Sequence, residues 1–493
     1  MTSRTRIRRR IAATSVVLGC LAACSGNGSG GNSAEATVAG SASGSDTAST
    51  STGASGQPGS GSATAGANAL FDNSIVHEIS ISYDKTAYDR MISDFRASGT
   101  KNWIEAKVVI DGTTFEKVGI RLKGNSSLSG LRNNAGGNAA GAVGGRGGGP
   151  GGGPGGNASA DAPNGLPWLV RLDKFTKKQE YKGTTEFVVR SNNTQTNLNE
   201  AVALELLGMT GQAIQKSFLT RFSVNGGDQK LRLVVENPGE EWDDENFTDD
   251  GVLYKAEASG DYSYRGDDAK AYDEVFEQET GDEANFAPLT KFLKFINQSD
   301  DATFAADLGN HLEIEAFARY LAGQELVANF DDIDGPGNNS YLRYNDKTGR
   351  MTVVSWDLNL AFGGFGGGGG VLGGGGGAPG VPGGAGGAPG GGAPPNGAVP
   401  GGNRPAGGAG FPGGGGGGFG GRTNILVTRF NANATFKAMV DKALAEQKSR
   451  LFASGTATAV VSRWKALINT QAGDLVPSAT VDTEAANISR YFA

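Results

Sequence analysis

The chain of 493 residues carries a formal net charge of −7 and no basic stripe, which argues against a nucleic-acid partner. Its only histidines are His77 and His311, and both cysteines precede residue 25, so a His/Cys zinc site or a Ser-His-Asp hydrolase has little to build on. A catalytic metal would therefore need oxygen ligands, which suit Mg²⁺, Mn²⁺ or Ca²⁺.

The first residues have the three-part layout of a secretory signal. A run of arginines between Arg4 and Arg10 precedes an apolar stretch, residues 11–23, that is too short to span a bilayer. This stretch ends in the letters LAAC, which resemble a bacterial lipobox, and an ordinary signal peptide with a chance Cys is the disfavoured alternative. Residues 1–23 are thus predicted to be a signal peptide and Cys24 the lipidated N-terminus. We expect an exported protein, anchored through this lipid to the outer face of the cytoplasmic membrane.

Three segments of low complexity follow the signal. Residues 24–69 hold mostly Gly, Ser, Ala, Thr and Asn, which bury too little surface to offset their ordering entropy, so a flexible tether is predicted. A first Gly-rich block (about 133–164) and a second Gly-rich block (about 363–421) lack the collagen period and are predicted to be disordered loop insertions. Residues 70–493 are predicted to form one domain that contains both insertions.

The patterned segments predict a domain of mixed α and β structure, with a β-rich half followed by a helical half. The first half is predicted to contain strands at 76–83, 103–110, 115–122, 168–172, 217–224, 230–235 and 251–255, and helices at 87–95 and 198–207. The second half is predicted to contain helices at 287–296, at 314–327 and from 435 to the end, and a strand pair at 340–344 and 351–356.

Three groups of polar residues lie at the ends of these predicted elements. The turn at 123–127 (KGNSS) joins a cation, backbone N–H groups and hydroxyls, which suits phosphate oxygens. Residues 329–339 follow a helix and include Asp331, and Asp357 follows a strand. An Asp after a helix, then an Asn, then an Asp after a short hairpin is the order in a protein-kinase catalytic half. An acidic turn or a Ca²⁺ loop is the alternative for residues 331–334, although the EF-hand spacing and its final Glu are missing.

Taken in order, these segments resemble the spore-coat protein H (CotH) kinase-like family, whose members have an atypical protein-kinase fold. The resemblance runs from Val76 to the C-terminus, apart from the two Gly-rich blocks. Its most specific parts are residues 118–127, 253–255, 329–339 and 356–358. It implies an α+β fold with a β-rich N-terminal half and a mainly helical C-terminal half.

The resemblance also implies binding of ATP with Mg²⁺ or Mn²⁺, and phosphate transfer to Ser, Thr or Tyr of a protein in the cell envelope. Asp331 would be the catalytic acid/base, and Asn339 and Asp357 would be metal ligands. The residues implied to lie at the nucleotide are Lys123, Ser126, Arg171, Glu200, Glu236 and Lys255.

Glu200 would take the place of the helix-C Glu of kinases, and its cationic partner would come from the preceding strand, where this chain has Arg171. Arg keeps the charge of the usual Lys but not its point-like geometry. Asn359 stands where many family members carry a second acidic residue, whose loss could weaken a second metal ion. A protein outside the membrane also meets little ATP. A catalytically inactive kinase-like scaffold or binding lipoprotein at the cell surface therefore stays the alternative.

Overall fold

The computed structural model describes residues 69–133, 158–257, 260–281, 283–335, 338–363 and 424–493. The predicted signal peptide, Cys24, almost all of the predicted tether and most of both Gly-rich blocks lie outside the described residues. In these ranges no helix has the length and apolar character needed to cross a membrane.

The described residues form an α+β protein, as the sequence predicts. The first half contains β1 (Val76–Tyr83), α1 (Lys85–Ser98), β2 (Ile104–Ile110), β3 (Thr113–Leu122), α2 (Ser129–Asn133), β4 (Trp168–Arg171), β5 (Glu186–Val189), α3 (Leu198–Met209), β6 (Ser217–Val224), β7 (Lys230–Glu236) and α4 (Glu240–Asn246). The second half contains β8 (Gly251–Ala256), β9 (Phe276–Gln278), α5 (Ala287–Gln298), α6 (Asp301–Asp307), α7 (Ile314–Leu326), β10 (Ser340–Asn345), β11 (Met351–Ser355), α8 (Ile425–Ala432), α9 (Ala434–Gln447), α10 (Thr456–Gln471) and α11 (Ser478–Ser489).

The first seven strands close into a barrel in the order β1-β2-β3-β4-β5-β7-β6. Neighbours are antiparallel except β1 and β6, which pair in parallel and close the ring. Successive side chains of β6 and β7 point to opposite faces and so contribute to two hydrophobic cores. Phe218 and Val234 face the barrel interior, whereas Leu219 and Leu233 pack outward with α3, α10 and α11. The C-terminal helices thus cover the barrel through α3.

The remaining strands form a second, antiparallel sheet in the order β11-β10-β8-β9. One face, with Tyr254 and Leu342, packs in a core shared with α5, α7, α8 and α9. The opposite face carries Leu253, Tyr341 and Val354, which pack with Trp242 and Trp356. This second face borders the candidate site described below.

Residues 158–164 belong to the packed fold, so the boundary predicted for the first Gly-rich block is too late. The Tyr88 hydroxyl donates to the Ala160 carbonyl oxygen at 2.7 Å, and the Trp168 indole N–H donates to that of Pro163 at 2.9 Å. The buried Tyr88 and Trp168 side chains need hydrogen-bond acceptors, and the backbone carbonyl groups of this segment supply them. Composition alone does not distinguish such a segment from a disordered one.

A buried ion pair ties α4 to the second sheet. The guanidinium of Arg343, on β10, donates to Asp243 Oδ1 at 3.2 Å and to Asp243 Oδ2 at 3.3 Å. It also lies 4.4 Å from the ring centroid of Phe247. The Arg343 side chain is buried, so its charge depends on Asp243 for compensation.

We expect Asp243→Ala to lower the free energy of unfolding by about 3–5 kcal/mol, because it leaves the buried Arg343 charge uncompensated. Denaturant unfolding followed by circular dichroism measures this. Asp89→Ala, which breaks the exposed Lys85–Asp89 pair on α1, is the matched control and should cost less than about 1 kcal/mol. Equal losses for the two variants would contradict the assigned role of Arg343.

Candidate functional site

A buried arginine at the end of β5 joins three parts of the fold. Arg190 Nη2 lies 3.0 Å from Glu200 Oε1, and Arg190 Nε donates to Glu200 Oε2 at 3.1 Å. Nη2 also donates to Asp357. The side chains of Arg190 and Glu200 are only 9% and 2% exposed, so neither charge can be left unpaired without a large cost. We refer to Arg190, Glu200 and Asp357 as the ion-pair cluster.

The loop before α3 fixes the position of Glu200 in the first turn of that helix. Asn197 adopts a left-handed backbone with φ 55°, and its Nδ2 donates to Glu200 Oε2 at 3.1 Å. Glu484, on α11, accepts the backbone N–H groups of Gln195 and Thr196 at 2.8 and 3.1 Å. A carboxylate in the first helical turn also gains from the helix dipole.

Burial and neighbouring charge shape the ionisation of the ion-pair cluster. Burial raises the pKa of Glu200 to about 7, with Asp357 acting in the same direction and Arg190 opposing it. Burial alone would lower the pKa of Arg190, but Asp357 and Glu200 together raise it above its ordinary value. Arg190 therefore stays charged at any working pH.

Asp357 follows β11 in a conformation that few non-glycine residues adopt. Its φ is 57°, in the left-handed region that Asp tolerates better than most residues. The indole of the preceding Trp356 lies 5.6 Å from the Arg190 guanidinium carbon and 5.8 Å from Lys123 Nζ, measured to the ring centroid. The Asp357 side chain remains 25% exposed, so it reaches solvent while bonded to Arg190.

The predicted catalytic Asp and a predicted metal ligand are in direct contact. Asn339 Nδ2 donates to Asp331 Oδ2 and to the Asp331 carbonyl oxygen, both at 2.9 Å. Asn339 immediately precedes β10, whose Ser340 is paired with Ser355 at the end of β11. Asn339 and Asp357 therefore leave the hairpin at the same end, and the register brings the three predicted residues to one region.

The segment that carries Asp331, called here the Asp331 loop (residues 329–335 and 338–339), is held by polar contacts from several elements. Asn329 Nδ2 donates to Gln324 Oε1 at 2.9 Å, and Gln324 Nε2 donates to Ser355 Oγ at 2.7 Å. The backbone N–H of Asn424, the first described residue after the second Gly-rich block, donates to Asp334 Oδ1 at 2.6 Å. The chain that leaves this block is therefore tied to the Asp331 loop.

Lys123 faces the same region from the end of β3. Its Nζ donates to Asn237 Oδ1 at 2.9 Å, and Asn237 Nδ2 donates to Glu186 Oε1 at 3.0 Å. Burial lowers the pKa of Lys123. Ser126 begins a short 3₁₀ turn and is exposed. Gly124 has φ 91°, and a Cβ there would lie 2.3 Å from Ser127 Oγ, so the tight turn requires glycine.

The predicted pairing of Arg171 with Glu200 is wrong. Arg171 Nε donates to Asp173 Oδ1 at 2.7 Å, and its Nη1 lies 4.0 Å from Glu186 Oε2, whereas the partner of Glu200 is Arg190. The physical reason is the strand β5, which intervenes between β4 and α3 and has only four residues. Its β-branched and aromatic run FVV before the polar turn SNN is the signal that could have revealed it.

Two further predicted nucleotide residues are held by local ion pairs. Glu236 Oε2 accepts the backbone N–H of Lys216 at 2.7 Å, and its Oε1 lies 3.3 Å from Lys216 Nζ. Burial raises the pKa of Glu236 to about 7. Lys255, on β8, is bonded to Glu257 and lies 3.7 Å from Glu277 Oε2. Glu236 is thus engaged with Lys216 rather than with the ion-pair cluster.

The donor set at the end of the hairpin suits a hard divalent cation. In the ranges that the structure covers, no group of three or more His, Cys, Asp or Glu side chains is arranged to hold a metal ion. The oxygen groups at this end of the hairpin are the carboxylates of Asp331 and Asp357 and the amide oxygen of Asn339, and Mg²⁺ prefers such ligands. Because Asn339 commits Nδ2 to Asp331, its Oδ1 is the amide atom suited to a cation.

Two comparisons with known proteins match parts of this chain. Residues 156–487 match the sequence model of a family described as CotH kinase protein. The chain is also 22% identical over 195 residues to Inner spore coat protein H of Bacillus subtilis (strain 168). That alignment covers 38% of this chain and 53% of the relative, so the chain spans about half the length of the curated relative it matches. The matched family range includes the ion-pair cluster and the Asp331 loop but begins after Lys123.

We expect Arg190→Met to lower the free energy of unfolding by about 3–5 kcal/mol, because Glu200 is then buried without its cation. Arg171→Met on the neighbouring strand is the matched control and should cost less than about 1 kcal/mol, since Arg171 is 39% exposed. Denaturant unfolding of both variants decides the outcome. An equal or larger loss for Arg171→Met would contradict the role assigned to Arg190 as the buried partner of Glu200.

Glu236 gives the stability a pH dependence of defined sign. Its folded pKa of about 7 lies above the 4.5 of an ordinary Glu, so its contribution to stability is full below about pH 4.5 and is lost as the pH rises through about 7. We expect Glu236→Gln to remove roughly 1–3 kcal/mol of the decrease in unfolding free energy between pH 5 and pH 8. Glu245→Gln, at the exposed partner of the same Lys216, should keep the wild-type slope. An unchanged slope in Glu236→Gln would contradict this assignment.

Proposed function

Because this chain belongs to the CotH kinase family, we propose that it is a protein kinase with an atypical kinase-like fold. It transfers phosphate from ATP to Ser, Thr or Tyr of a protein in the cell envelope. The observation that carries this proposal is the meeting of the Asp331–Asn339 pair and the ion-pair cluster at one end of the β10–β11 hairpin. Family membership and this geometry support the same assignment independently.

In the proposed reaction, Asp331 accepts the proton of the substrate hydroxyl as the oxygen attacks the terminal phosphorus of ATP. The bond from that phosphorus to the bridging oxygen breaks at the same time, and ADP leaves with the bonding electron pair. Asn339 orients the Asp331 carboxylate through its Nδ2. Asn339 Oδ1 and the Asp357 carboxylate would hold Mg²⁺ or Mn²⁺, which would supply charge neutralisation at the phosphates when bound. Arg190 orients Asp357 by bonding one of its oxygens, and Glu200 fixes the guanidinium in turn.

The nucleotide side of the proposed site is formed by cations at the ends of β3 and β8. Lys123, Ser126 and Lys255 contact the nucleotide in this proposal. Arg171 has a supporting role, since it reaches Lys123 only through Glu186 and Asn237. Its contact with Glu186 helps to hold Asn237, and with it the Lys123 ammonium, in place.

We further propose that the protein acts outside the cytoplasmic membrane, anchored through lipid at Cys24, where its protein substrate lies. This location favours a second candidate, a surface scaffold with a kinase-like fold and no phosphotransfer. One specific observation also favours it: Asp357, a proposed metal ligand, already accepts a hydrogen bond from Arg190. A metal would have to share this carboxylate with the guanidinium.

Labelled ATP separates the two candidates. We expect the full-length protein, with Mg²⁺ or Mn²⁺, to incorporate phosphate into itself or into a generic acceptor protein. Asp331→Asn and Asp357→Asn should each reduce the rate by about 100-fold or more, since each removes an essential carboxylate but little volume. Asp89→Asn, on the exposed face of α1, is the control and should retain the full rate.

Nucleotide binding is measured in parallel by thermal unfolding. ATP with Mg²⁺ at a hundredfold its dissociation constant should raise the unfolding free energy by about 2.7 kcal/mol. Incorporation that persists in both Asp variants would remove the proposed mechanism. Neither incorporation nor a thermal shift in the wild type would leave the surface scaffold as the function.

A further inference from the structure

The hydroxyl of Tyr341 is buried without a hydrogen-bond partner among the described residues. Tyr341 lies in β10 and is 0% exposed. An unpaired buried hydroxyl costs stability, because its hydrogen bonds to water are lost and not replaced. Buried tyrosine hydroxyls usually have a hydrogen-bond partner. That of Tyr262 lies 2.9 Å from Oγ of Ser340, the residue before Tyr341. The unpaired state of Tyr341 therefore calls for an explanation.

Tyr341 lies against the residues of the candidate site. In the second sheet it is paired with Val354 on one side and with Lys255 on the other. Its ring packs edge-on against Trp356, with centroids 5.6 Å apart, and Trp356 immediately precedes Asp357. On the same indole, Lys123 Nζ lies 5.8 Å from the ring centroid. The hydroxyl thus belongs to the wall from which Lys123, Lys255 and Asp357 extend.

Charges of both signs surround this hydroxyl. Burial raises the pKa of Tyr341 well above its ordinary value, and nearby carboxylates act in the same direction, namely those of Glu279, Glu277, Glu257 and Glu186. Lys123 and Lys255 offset these carboxylates, and both interact with Glu279. A tyrosine hydroxyl is protonated at neutral pH, so that of Tyr341 can donate a hydrogen bond. Such balanced surroundings suit a neutral polar group better than a phosphate.

We propose that Tyr341 is a nucleotide-contacting residue whose hydroxyl bonds a neutral polar atom in the nucleoside part of ATP. This inference rests on the proposed function and assigns a residue that recognises the nucleoside rather than the phosphates. Access requires side-chain movement: Lys255, the cross-strand neighbour of Tyr341, would leave its ion pairs with Glu257 and Glu277 as it turns toward the nucleotide. The energetic cost of the unpaired hydroxyl in the free protein is recovered when the nucleotide binds.

Tyr341→Phe tests this inference by removing one oxygen and nothing else. We expect the dissociation constant for ATP with Mg²⁺ to rise by about 3- to 10-fold, as the loss of one hydrogen bond implies. Binding of inorganic tripolyphosphate, which has no nucleoside, should not change. The melting temperature of the nucleotide-free variant should equal or exceed that of the wild type, because an unpaired buried hydroxyl has been removed.

Tyr262→Phe is the matched control, since it makes the same change in an adjacent buried ring. It leaves Ser340 Oγ without its partner, so the melting temperature should fall, whereas the affinity for ATP should stay at the wild-type value. Tyr341→Phe is therefore expected to weaken ATP binding without loss of stability, and Tyr262→Phe to lower stability without loss of ATP binding.

Each other outcome is decisive. If the wild type binds ATP and Tyr341→Phe binds it equally well, or if tripolyphosphate binding weakens as well, the nucleoside contact is wrong while the proposed function stands. If Tyr341→Phe destabilises the free protein as much as Tyr262→Phe does, the hydroxyl has a partner within the protein and the inference is overturned. If the wild type binds no ATP, this inference and the proposed function fall together.

Discussion

The buried guanidinium of Arg190 is the interaction on which the rest of the site depends. It extends from the end of β5, in the barrel, and bonds Glu200 on α3 and Asp357 after β11. Since α3 packs between the barrel and the helices α10 and α11, these bonds join the two halves of the fold at one point. Arg190 and Glu200 are buried, so water cannot readily replace a partner lost between these two groups.

The Asp331 loop is held by a different kind of interaction. The ion-pair cluster is held by charge, whereas this loop is held by hydrogen bonds. Asn329 donates to Gln324, Asn339 donates to Asp331, and the Asn424 backbone N–H donates to Asp334. The described residues on both sides of the second Gly-rich block meet here: Asn424 bonds Asp334, and the backbone N–H of Phe362 donates to the Val327 carbonyl oxygen at 2.8 Å. A long insertion between these points is inexpensive because closure entropy grows only with the logarithm of loop length.

The sequence predicted what depends on local patterns and missed what depends on tertiary contact. Alternation and helical spacing predicted most of the longer strands and helices but not α8. The chain order of Asp331, Asn339 and Asp357 predicted residues that the fold brings to one end of a hairpin. Arg190 was missed because a four-residue strand gives too short a pattern to fix the register of its neighbours. The unpaired hydroxyl of Tyr341 could not be predicted from the sequence. Tyr262 is also buried but has a hydrogen-bond partner, and no local sequence pattern distinguishes the two tyrosines.

Arginine at position 190 also explains how one cation can serve two carboxylates. A lysine ammonium is a point charge, whereas the planar guanidinium presents donors in several directions, so Arg190 bonds Glu200 through Nε and Nη2 while still reaching Asp357. The cluster then holds two carboxyl groups against one cation, and Asp331 adds another acid beside it. That excess of acid lies at the hairpin end where the proposed function needs a divalent cation, whereas Lys123 and Lys255 are matched by nearby glutamates. In the proposed function, the acidic end of the hairpin would hold the metal and the wall around Tyr341 would contact the nucleoside.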